Sequence, residues 1–387
     1  MFPDDARQRL VALRREIHQH PELAFEERET SRRLHEALAA LRPAALDRVA
    51  GTGLVARLAG RRRDAPVVAV RGDIDALPIT EETGLSYASE RPGVMHACGH
   101  DVHAAWAVGA AYLLSRAPAE GDVLVVLQPA EEAGKGAQAV LDCGALDGAA
   151  AIFGGHVDRR FAVGQVVAQP GPLAASADAF AVTLKGRGAH AARPHEGADP
   201  IVGAGALIAA LQTVVSRRLD PAVPAVLTVG TVRAGTAPNV IPETATLEGT
   251  LRAVDADTRA RLQAEVRRLA ADVARAYGLE AEVALELGPP PLVNAPQPSG
   301  WARRAAQRVV GEAGVVPLGF TNLAAEDFAC YLERMPGCFL RIGAREDGGA
   351  PIAAHSPRFH AAEESIFIGA AVLAEAARVA SAELLGA

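Results

Sequence analysis

The sequence predicts an α/β fold in which a mostly parallel sheet is covered by helices and interrupted by an inserted ferredoxin-like α+β domain. Three apolar runs of strand length are separated by segments whose apolar residues have helical spacing. Because these runs are apolar throughout rather than alternating, they are typical of parallel strands buried on both faces. Later in the chain the order of elements becomes βαββαβ, which is typical of a ferredoxin-like sandwich.

The first part of the chain alternates helical and strand-like segments. Leu10, Leu13 and Ile17 recur at helical spacing and indicate an opening helix. Runs such as VVAV and VLVVL have the length of strands and end abruptly in polar residues. The predicted elements are helix Asp4 to His18, strand Pro66 to Val70, helix His103 to Arg116, strand Val123 to Leu127, helix Ala137 to Cys143 and strand Ala149 to Phe153.

The second part has the mixed texture of an α+β domain. Its first strand, FAVTLK, alternates apolar and polar residues, and prolines 289–291 indicate a linker at its end. The predicted elements are strand Phe180 to Lys185, helix Ile201 to Val215, strands Ala225 to Arg233 and Thr244 to Arg252, helix Ala256 to Tyr277 and strand Ala281 to Leu287. We therefore predict one domain formed by residues 1–175 and 290–387, with residues 176–289 inserted into it.

Composition excludes several classes of protein. Of the 387 residues, 50% are apolar and 22% are charged, with a net charge of −7, as in an ordinary globular protein of two domains. The arginines are scattered and only Lys135 and Lys185 are lysines, so no nucleic-acid-binding surface is predicted.

No membrane or secretory segment is predicted. The start, MFPDDARQRL, is charged where a signal peptide is apolar. No apolar run approaches the roughly 18 residues of a membrane span, and the runs 104–114 and 201–211 are expected to be buried helices. The four cysteines, at positions 98, 143, 330 and 338, form no disulfide pattern, so a cytoplasmic location is expected.

The segment VMHACGHDVHA, residues 94–104, concentrates side chains that bind metals. It holds three histidines, a cysteine and an aspartate. If its backbone is extended, alternation sends the side chains of Cys98 and His100 to the same face, where both can reach one cation or two adjacent ones. The alternative interpretation is a helix start around a buried cysteine.

Further candidate ligands follow other strand-like runs. Glu131 and Glu132 come after VVLQPA, His156 after AAAIF and His355 after a later strand, and in parallel sheets such ends meet at one edge. With Cys98 and His100 these side chains supply five donors if one glutamate binds, too many for one four-coordinate ion, so two divalent metals sharing a ligand are predicted. On extended backbone the other glutamate would face the attacking water as general base. A pair of glutamates is also favoured near a helix N-terminus.

Eight motifs of this sequence resemble those of a known family. The motifs in question are RGDIDALPI, HACGHDVH, QPAEEAGKGA, GGHV, GRGAHAARPHEGADPI, GTVRAGTAPNVIP, AEDFACY and HSPRFH. Their order and spacing resemble those of the di-metal aminoacylase and carboxypeptidase superfamily. The chain is similar to the amidohydrolase branch with hippurate hydrolases, N-acyl-amino-acid amidohydrolases and plant indole-acetyl-amino-acid hydrolases.

The resemblance implies a role for each residue of the centre. It makes Glu131 the general base and places Asp75 behind the ligands as a supporting carboxylate. Asp73 stands where the wider superfamily has a metal-binding histidine, so the set containing a cysteine must apply here. The implied metal ligands are Cys98, His100, Glu132, His156 and His355. Thiolate favours zinc, while manganese, cobalt or nickel tolerate the mixed set.

The resemblance also gives the inserted domain a function. It implies a lid that pairs two subunits and brings His190 to the scissile carbonyl, often from the neighbouring subunit. Asn239 and Arg252 are expected to hold the substrate's carboxylate. The alternatives are a core histidine at position 190 and a structural ion pair for Arg252. The chain departs from its relatives at His360, where an acidic residue is usual, and at Gly72, where alanine is common.

The expected activity is metal-dependent hydrolysis of N-acyl amino acids to a carboxylic acid and a free amino acid. A metallo-exopeptidase cutting dipeptides would use the same site. A binding protein without activity would lack one of the ligands or the base, and all of them are present in this sequence.

Overall fold

The computed structural model describes residues 2–386. Its helices are α1 Asp4–Gln19, α2 Arg28–Ala39, α3 His100–Arg116, α4 Gly136–Asp142, α5 Pro200–Thr213, α6 Ala256–Ala276, α7 Pro296–Val310, α8 Ala329–Leu332 and α9 Glu364–Leu385.

Strands alternate with these helices along the chain. They are β1 Ala45–Val49, β2 Gly53–Leu58, β3 Val67–Asp73, β4 Val123–Gln128, β5 Ala149–Ala162, β6 Val166–Val167, β7 Gly171–Ala174, β8 Asp178–Lys185, β9 Ala189–His190, β10 Ala225–Ala234, β11 Val240–Ile241, β12 Thr244–Ala253, β13 Glu280–Leu287, β14 Leu292–Asn294 and β15 Gly337–Arg345.

The first structural unit runs up to Gly171 and includes Asn294–Gly319 and the chain from Asp327 onwards. Its sheet has the order β1-β2-β4-β3-β5-β15-β6. Strands β4, β3, β5 and β15 are parallel, whereas the pairs β1–β2, β2–β4 and β15–β6 are antiparallel. All of β4 is buried, and α3 and α9 pack against each other and against β3 and β5. The predicted α/β fold with a mostly parallel sheet covered by helices is confirmed.

Strand β5 is longer than the apolar run that predicted it. The prediction ended this strand at Phe153, whereas the structure continues it to Ala162. Pairing with β3 stops at Phe153, but β15 continues beside β5 in parallel register, with Arg341 opposite His156. His156 therefore lies three residues beyond the last residue of β5 that pairs with β3, where β5 pairs with β15.

The second unit consists of Pro172–Val293 and Phe320–Glu326. Its sheet is antiparallel in the order β10-β12-β8-β13, with α5 and α6 packed on it. This gives the βαββαβ order that the sequence predicts, and apolar residues such as Val182, Leu207 and Leu262 form its core. The proposed insertion, residues 176–289, lies inside this unit, and its role as a lid stays a prediction.

Within residues 2–386 two helices are long and apolar enough to cross a membrane, Pro200–Arg218 and Glu364–Leu385. The core helix of a globular protein passes the same test, and 72% of the second candidate's apolar window is buried inside the protein. For 201–211 the expectation of a buried helix is wrong on one face, because Ile201 is 45% exposed and Val202 52%.

Candidate active site

Helix α3 begins at His100, three residues earlier than predicted, so Cys98 and His100 do not share an extended backbone. Gly99 between them has a φ of +89°, which is left-handed. A Cβ added at Gly99 would lie 2.4 Å from the Val157 side chain, so glycine satisfies both the torsion and the space. The predicted alternation is therefore wrong, and the two side chains meet across a tight turn instead.

The structure brings all five predicted ligands together. Donor atoms of Cys98, His100 and His156 lie within 4.8 Å of one another, and so do those of Cys98, Glu132 and His355. The Cys98 Sγ lies 3.1 Å from His156 Nε2, and His355 Nε2 lies 3.3 Å from a Glu132 oxygen. Because Cys98 belongs to both groups, the geometry fits two cations that share one ligand.

Hydrogen bonds orient the imidazoles. The Nδ1–H of His100 donates to Asp75, whose Oδ1 lies 3.1 Å away, and the Nδ1–H of His156 donates to the Val157 carbonyl at 2.7 Å. Each ring therefore presents Nε2 to the cluster. His100 Nε2 is buried and has no hydrogen-bond partner among the described residues. A buried nitrogen turned toward thiol and carboxylate groups, with its other nitrogen held by a carboxylate, fits a metal ligand.

Asp75 supports two of the predicted ligands at once. One of its oxygens receives the His100 hydrogen bond and the other accepts the Glu132 backbone N–H at 2.9 Å. This position agrees with the supporting role that the sequence implies for Asp75.

Glu131 and Glu132 lie in a turn rather than on extended backbone. Ala130 before them has a φ of +53°, and α4 begins only at Gly136, so the pair does not belong to its first turn. Their carboxylates and His100 Nε2 lie within 4.8 Å of one another. Glu131 Oε1 accepts the Asp327 backbone N–H at 3.3 Å, and Glu132 pairs with His355. Both carboxylates lie 3.8 Å from His100 Nε2, but their other partners differ. The predicted reason for a difference, alternation along a strand, is wrong.

A buried polar network beneath the site was missed by sequence reasoning. Arg71 bonds to Asp73, to Asp327 at 3.1 Å and to Gln128 at 2.8 Å. Burial would raise the pKa of Asp73, but Arg71, His100 and His103 outweigh it and hold that pKa well below its usual range. The carboxylate is therefore ionised and serves as an acceptor inside the protein.

His103 links Asp73 of this network to the backbone beside the predicted ligand His156. Its Nδ1 lies 2.6 Å from Asp73, and its Nε2 accepts the Val157 N–H at 2.9 Å, directly after His156. The signal was present in the sequence, since His103 follows His100 by three residues and therefore lies on the same face of α3.

His355 lies on a loop fastened at both ends. Its φ is +65° and its N–H donates to the Ala97 carbonyl at 2.8 Å. Farther along, His360 Nε2 lies 3.3 Å from Glu346, whose carboxylate also binds the buried Arg159. The hydrogen bond from Arg159 lowers the pKa of Glu346 to about 2. An acidic residue at position 360 would face this carboxylate, so the histidine is compatible with its surroundings.

The remaining predicted residues lie in the second unit. His190 on β9 pairs with Val240 on β11, next to Asn239, and the Asn239 carbonyl accepts the Ala191 N–H at 3.0 Å. His190 is exposed rather than part of a core. Arg252 on β12 makes no ion pair or side-chain hydrogen bond within residues 2–386, so the structural ion pair is not observed.

Metal binding at this site is expected to release protons. Burial and the Glu132 carboxylate raise the pKa of the Cys98 thiol well above its usual range, so at neutral pH it carries a proton that a cation must displace. Burial lowers the pKa of His156, which is neutral and ready to bind. Between about pH 6 and about pH 8, the apparent metal affinity should rise roughly tenfold per pH unit for each displaced proton.

Competition with a chelator of known affinity at several pH values measures this dependence. The Cys98→Ala variant should show a slope smaller by about one proton. An affinity that does not change with pH would argue against thiolate ligation.

Comparison with known proteins identifies relatives of this chain. Residues 69–379 match the model of peptidase family M20/M25/M40. The chain is 43% identical to an N-acetyl-L-cysteine deacetylase of Bacillus subtilis (strain 168) and 37% identical to the IAA-amino acid hydrolase ILR1-like 5 of Arabidopsis thaliana. Each alignment covers 95% of this chain and, respectively, 87% and 86% of the relative.

Solved structures give the same result. The Bacillus subtilis YXEP protein, described as a dinuclear metal-binding peptidase of the M20 family, superposes with a TM-score of 0.86 at 36% identity, covering 98% of this chain and 99% of that one. This neighbour supports two divalent metal ions per subunit here. From the family match, the relatives and the shared structure, we conclude that this chain belongs to peptidase family M20/M25/M40.

Proposed function

We propose that this protein is a di-metal amidohydrolase that cleaves the amide bond of N-acyl amino acids, giving a carboxylic acid and a free amino acid. The observation that carries the proposal is the cluster of donors with the Glu131 carboxylate beside it, which also accepts the Asp327 backbone N–H at 3.3 Å. Relatives named as a deacetylase of an N-acetyl amino acid and as a hydrolase of an amino acid conjugate support this substrate class.

The proposed metal ligands are Cys98, His100, Glu132, His156 and His355. Two divalent ions held there would supply Lewis acidity and a nucleophilic water at neutral pH. We propose zinc or manganese, with cobalt or nickel also compatible with the mixed donors. Metal analysis of the purified protein tests both the two-ion stoichiometry and the identity.

The chain's own groups move the protons and hold the substrate. Glu131 takes a proton from the attacking water and later delivers it to the leaving amine. His190 donates to the oxygen of the scissile carbonyl as negative charge develops on it. Arg252 and Asn239 bind the carboxylate of the amino acid, which fixes the position of the amide.

A substrate panel tests the activity. Metal-analysed protein should hydrolyse acetyl, benzoyl or indole-acetyl amino acids, with release of the free amino acid as the readout. Two relatives named thermostable carboxypeptidases, each 33% identical over 370 residues, make dipeptides with a free amine the appropriate comparison. Cleavage of dipeptides alone would replace the proposed activity by that of a metallo-exopeptidase.

We also propose that the protein forms a homodimer through the second unit. Ile201 and Val202 expose an apolar face of α5, and β10 is an edge strand with Val232 half exposed. Exposed apolar faces and free sheet edges are typical of contact surfaces. Sedimentation of the wild type and of Val202→Glu tests this, since only the variant should be monomeric.

A mixed dimer tests whether His190 acts across subunits. Glu131→Gln and His190→Ala should each be nearly inactive, but subunit exchange between them places an intact base beside a partner's intact histidine. About half the molecules are then mixed, with one good site of two, so about a quarter of wild-type activity is expected. If exchange is demonstrated and activity stays at the parents' level, His190 acts within its own subunit or not at all.

A cytoplasmic location fits the state of the cysteines. In the structure Cys98, Cys143, Cys330 and Cys338 are all free thiols. The proposed ligand Cys98 has to remain unoxidised, as in a reducing compartment. Cell fractionation checks the location.

A further inference from the structure

Glu27 is a buried acidic residue whose carboxylate reaches the turn that carries Glu131 and Glu132. Its Oε1 accepts the backbone N–H of Ala130 at 2.9 Å, and its Oε2 accepts the hydroxyl of Thr52 at 2.5 Å. Glu27 itself is fully buried. Both oxygens are therefore engaged, and one of them holds the residue immediately before the proposed base.

Helix α2 does not account for this carboxylate. Glu27 immediately precedes α2, but its side chain makes no capping hydrogen bond to that helix. The first turn is capped by Glu22 instead, whose oxygens accept the N–H groups of Glu29 at 3.2 Å and Thr30 at 2.8 Å. The two buried glutamates of this segment thus have different partners. Glu22 caps α2, and Glu27 accepts the Ala130 N–H.

Ala130 adopts a backbone conformation that it would not choose alone. Its φ of +53° is left-handed, which is unfavourable for any residue with a Cβ. It is also fully buried, so its N–H has no access to bulk water. Such a residue persists only where the surroundings hold it, and the Glu27 carboxylate is the acceptor that does so.

The direction of the two glutamates depends on this torsion. The chain turns at Ala130, whose carbonyl accepts the Gly136 N–H at 3.1 Å and closes the turn. In that turn the Glu131 and Glu132 carboxylates lie within 4.8 Å of each other and of His100 Nε2. If φ at Ala130 changed to the usual negative values, the Glu131 and Glu132 side chains would point in other directions.

We infer that Glu27 is a positioning residue for this centre: by accepting the Ala130 N–H it holds the left-handed turn that aims Glu131 and Glu132. The predicted effect on turnover rests on the proposed function. The predicted effect on metal binding through Glu132 requires only that the cluster binds a divalent ion.

The test is a double-mutant cycle between Glu27→Ala and Ala130→Gly. In the wild-type background Glu27→Ala should lower metal affinity, measured by competition with a chelator, and kcat by about 10- to 100-fold each, the effect of losing a hydrogen bond to a charged group. KM should change less, since the turn does not contact the substrate's carboxylate in the proposed mechanism. In the Ala130→Gly background both losses should shrink to a few-fold, because glycine adopts positive φ without strain.

Two controls separate positioning from general damage. Glu22→Ala removes another buried carboxylate of the same segment, and metal affinity and kcat should stay within about twofold of wild type even if stability falls. Glu27→Gln retains an acceptor for the Ala130 N–H, while the Thr52 hydroxyl can accept from the amide, so most of both quantities should remain.

The outcomes are distinct. Equal losses in the two backgrounds, or a loss from Glu22→Ala as large as that from Glu27→Ala, would overturn the inference. Protein that hydrolyses no N-acyl amino acid but shows the predicted pattern of metal affinities would overturn the proposed function and leave the positioning role intact.

Discussion

Replacement of Glu131 by glutamine is expected to leave both metal ions bound and to lower kcat by about 10²- to 10⁴-fold, the usual contribution of a general base. The amide can still accept the Asp327 N–H that Glu131 accepts at 3.3 Å, so the local structure is kept. It cannot take a proton from water. Steady-state kinetics on protein of measured metal content gives the result.

Glu132→Gln is the matched control, because it makes the same change at the adjacent residue. Glu132 pairs with His355, and the ligand atoms of Glu132, His355 and Cys98 lie within 4.8 Å of one another. Loss of the Glu132 carboxylate should therefore reduce metal content as well as activity. Equal metal loss in both variants would contradict the division of labour between base and ligand.

Arg71→Met is expected to lower the free energy of unfolding by about 3–5 kcal/mol, since it leaves buried carboxylates without their cation. Arg71 and Asp73 are fully buried and bonded to each other, and Asp327 accepts from the same guanidinium. Urea unfolding at neutral pH measures the loss. Arg62→Met, which removes an exposed pair with Asp64, should leave the midpoint unchanged.

The ion pair between Arg71 and Asp73 also predicts the direction in which stability changes with pH. Because the pKa of Asp73 is depressed in the folded state, its stabilising contribution is present above its unfolded pKa of about 3.9 and is lost as pH falls through the folded value. The difference in the free energy of unfolding between wild type and Arg71→Met should therefore be largest at neutral pH and become smaller in acid. A difference that widens in acid would contradict this origin.

The sequence predicted which residues gather at the site better than it predicted how they are held. The apolar strands before Glu132 and His156 were sufficient to predict that these two residues lie close together, because the ends of parallel strands share an edge. The backbone around Cys98 and Glu132 was predicted wrongly. Gly99 and Ala130 are left-handed, and an alternating pattern contains no information about single residues of positive φ.

Contacts between distant segments were also beyond the sequence pattern. The hydrogen bond from Ala130 to Glu27 and the pairing of His360 with Glu346 join parts of the chain that no local periodicity connects. The exposure of one face of α5 could not be predicted from the sequence either. An apolar helix has the same sequence pattern whether its apolar residues pack against its own chain or against another molecule.

Pairing between β5 and β15 has a consequence for synthesis of the protein on the ribosome. The two strands are adjacent in the sheet, yet the entire segment from Pro172 to Val293 is translated between them. One edge of β5 therefore stays unpaired during this time. All four strands of the second unit's sheet lie in the intervening segment, so that sheet can form first. Long-range parallel pairs form late and expose strand edges in the meantime. His355 follows β15 in the chain, so the nascent protein acquires its last proposed metal ligand only when this edge can close.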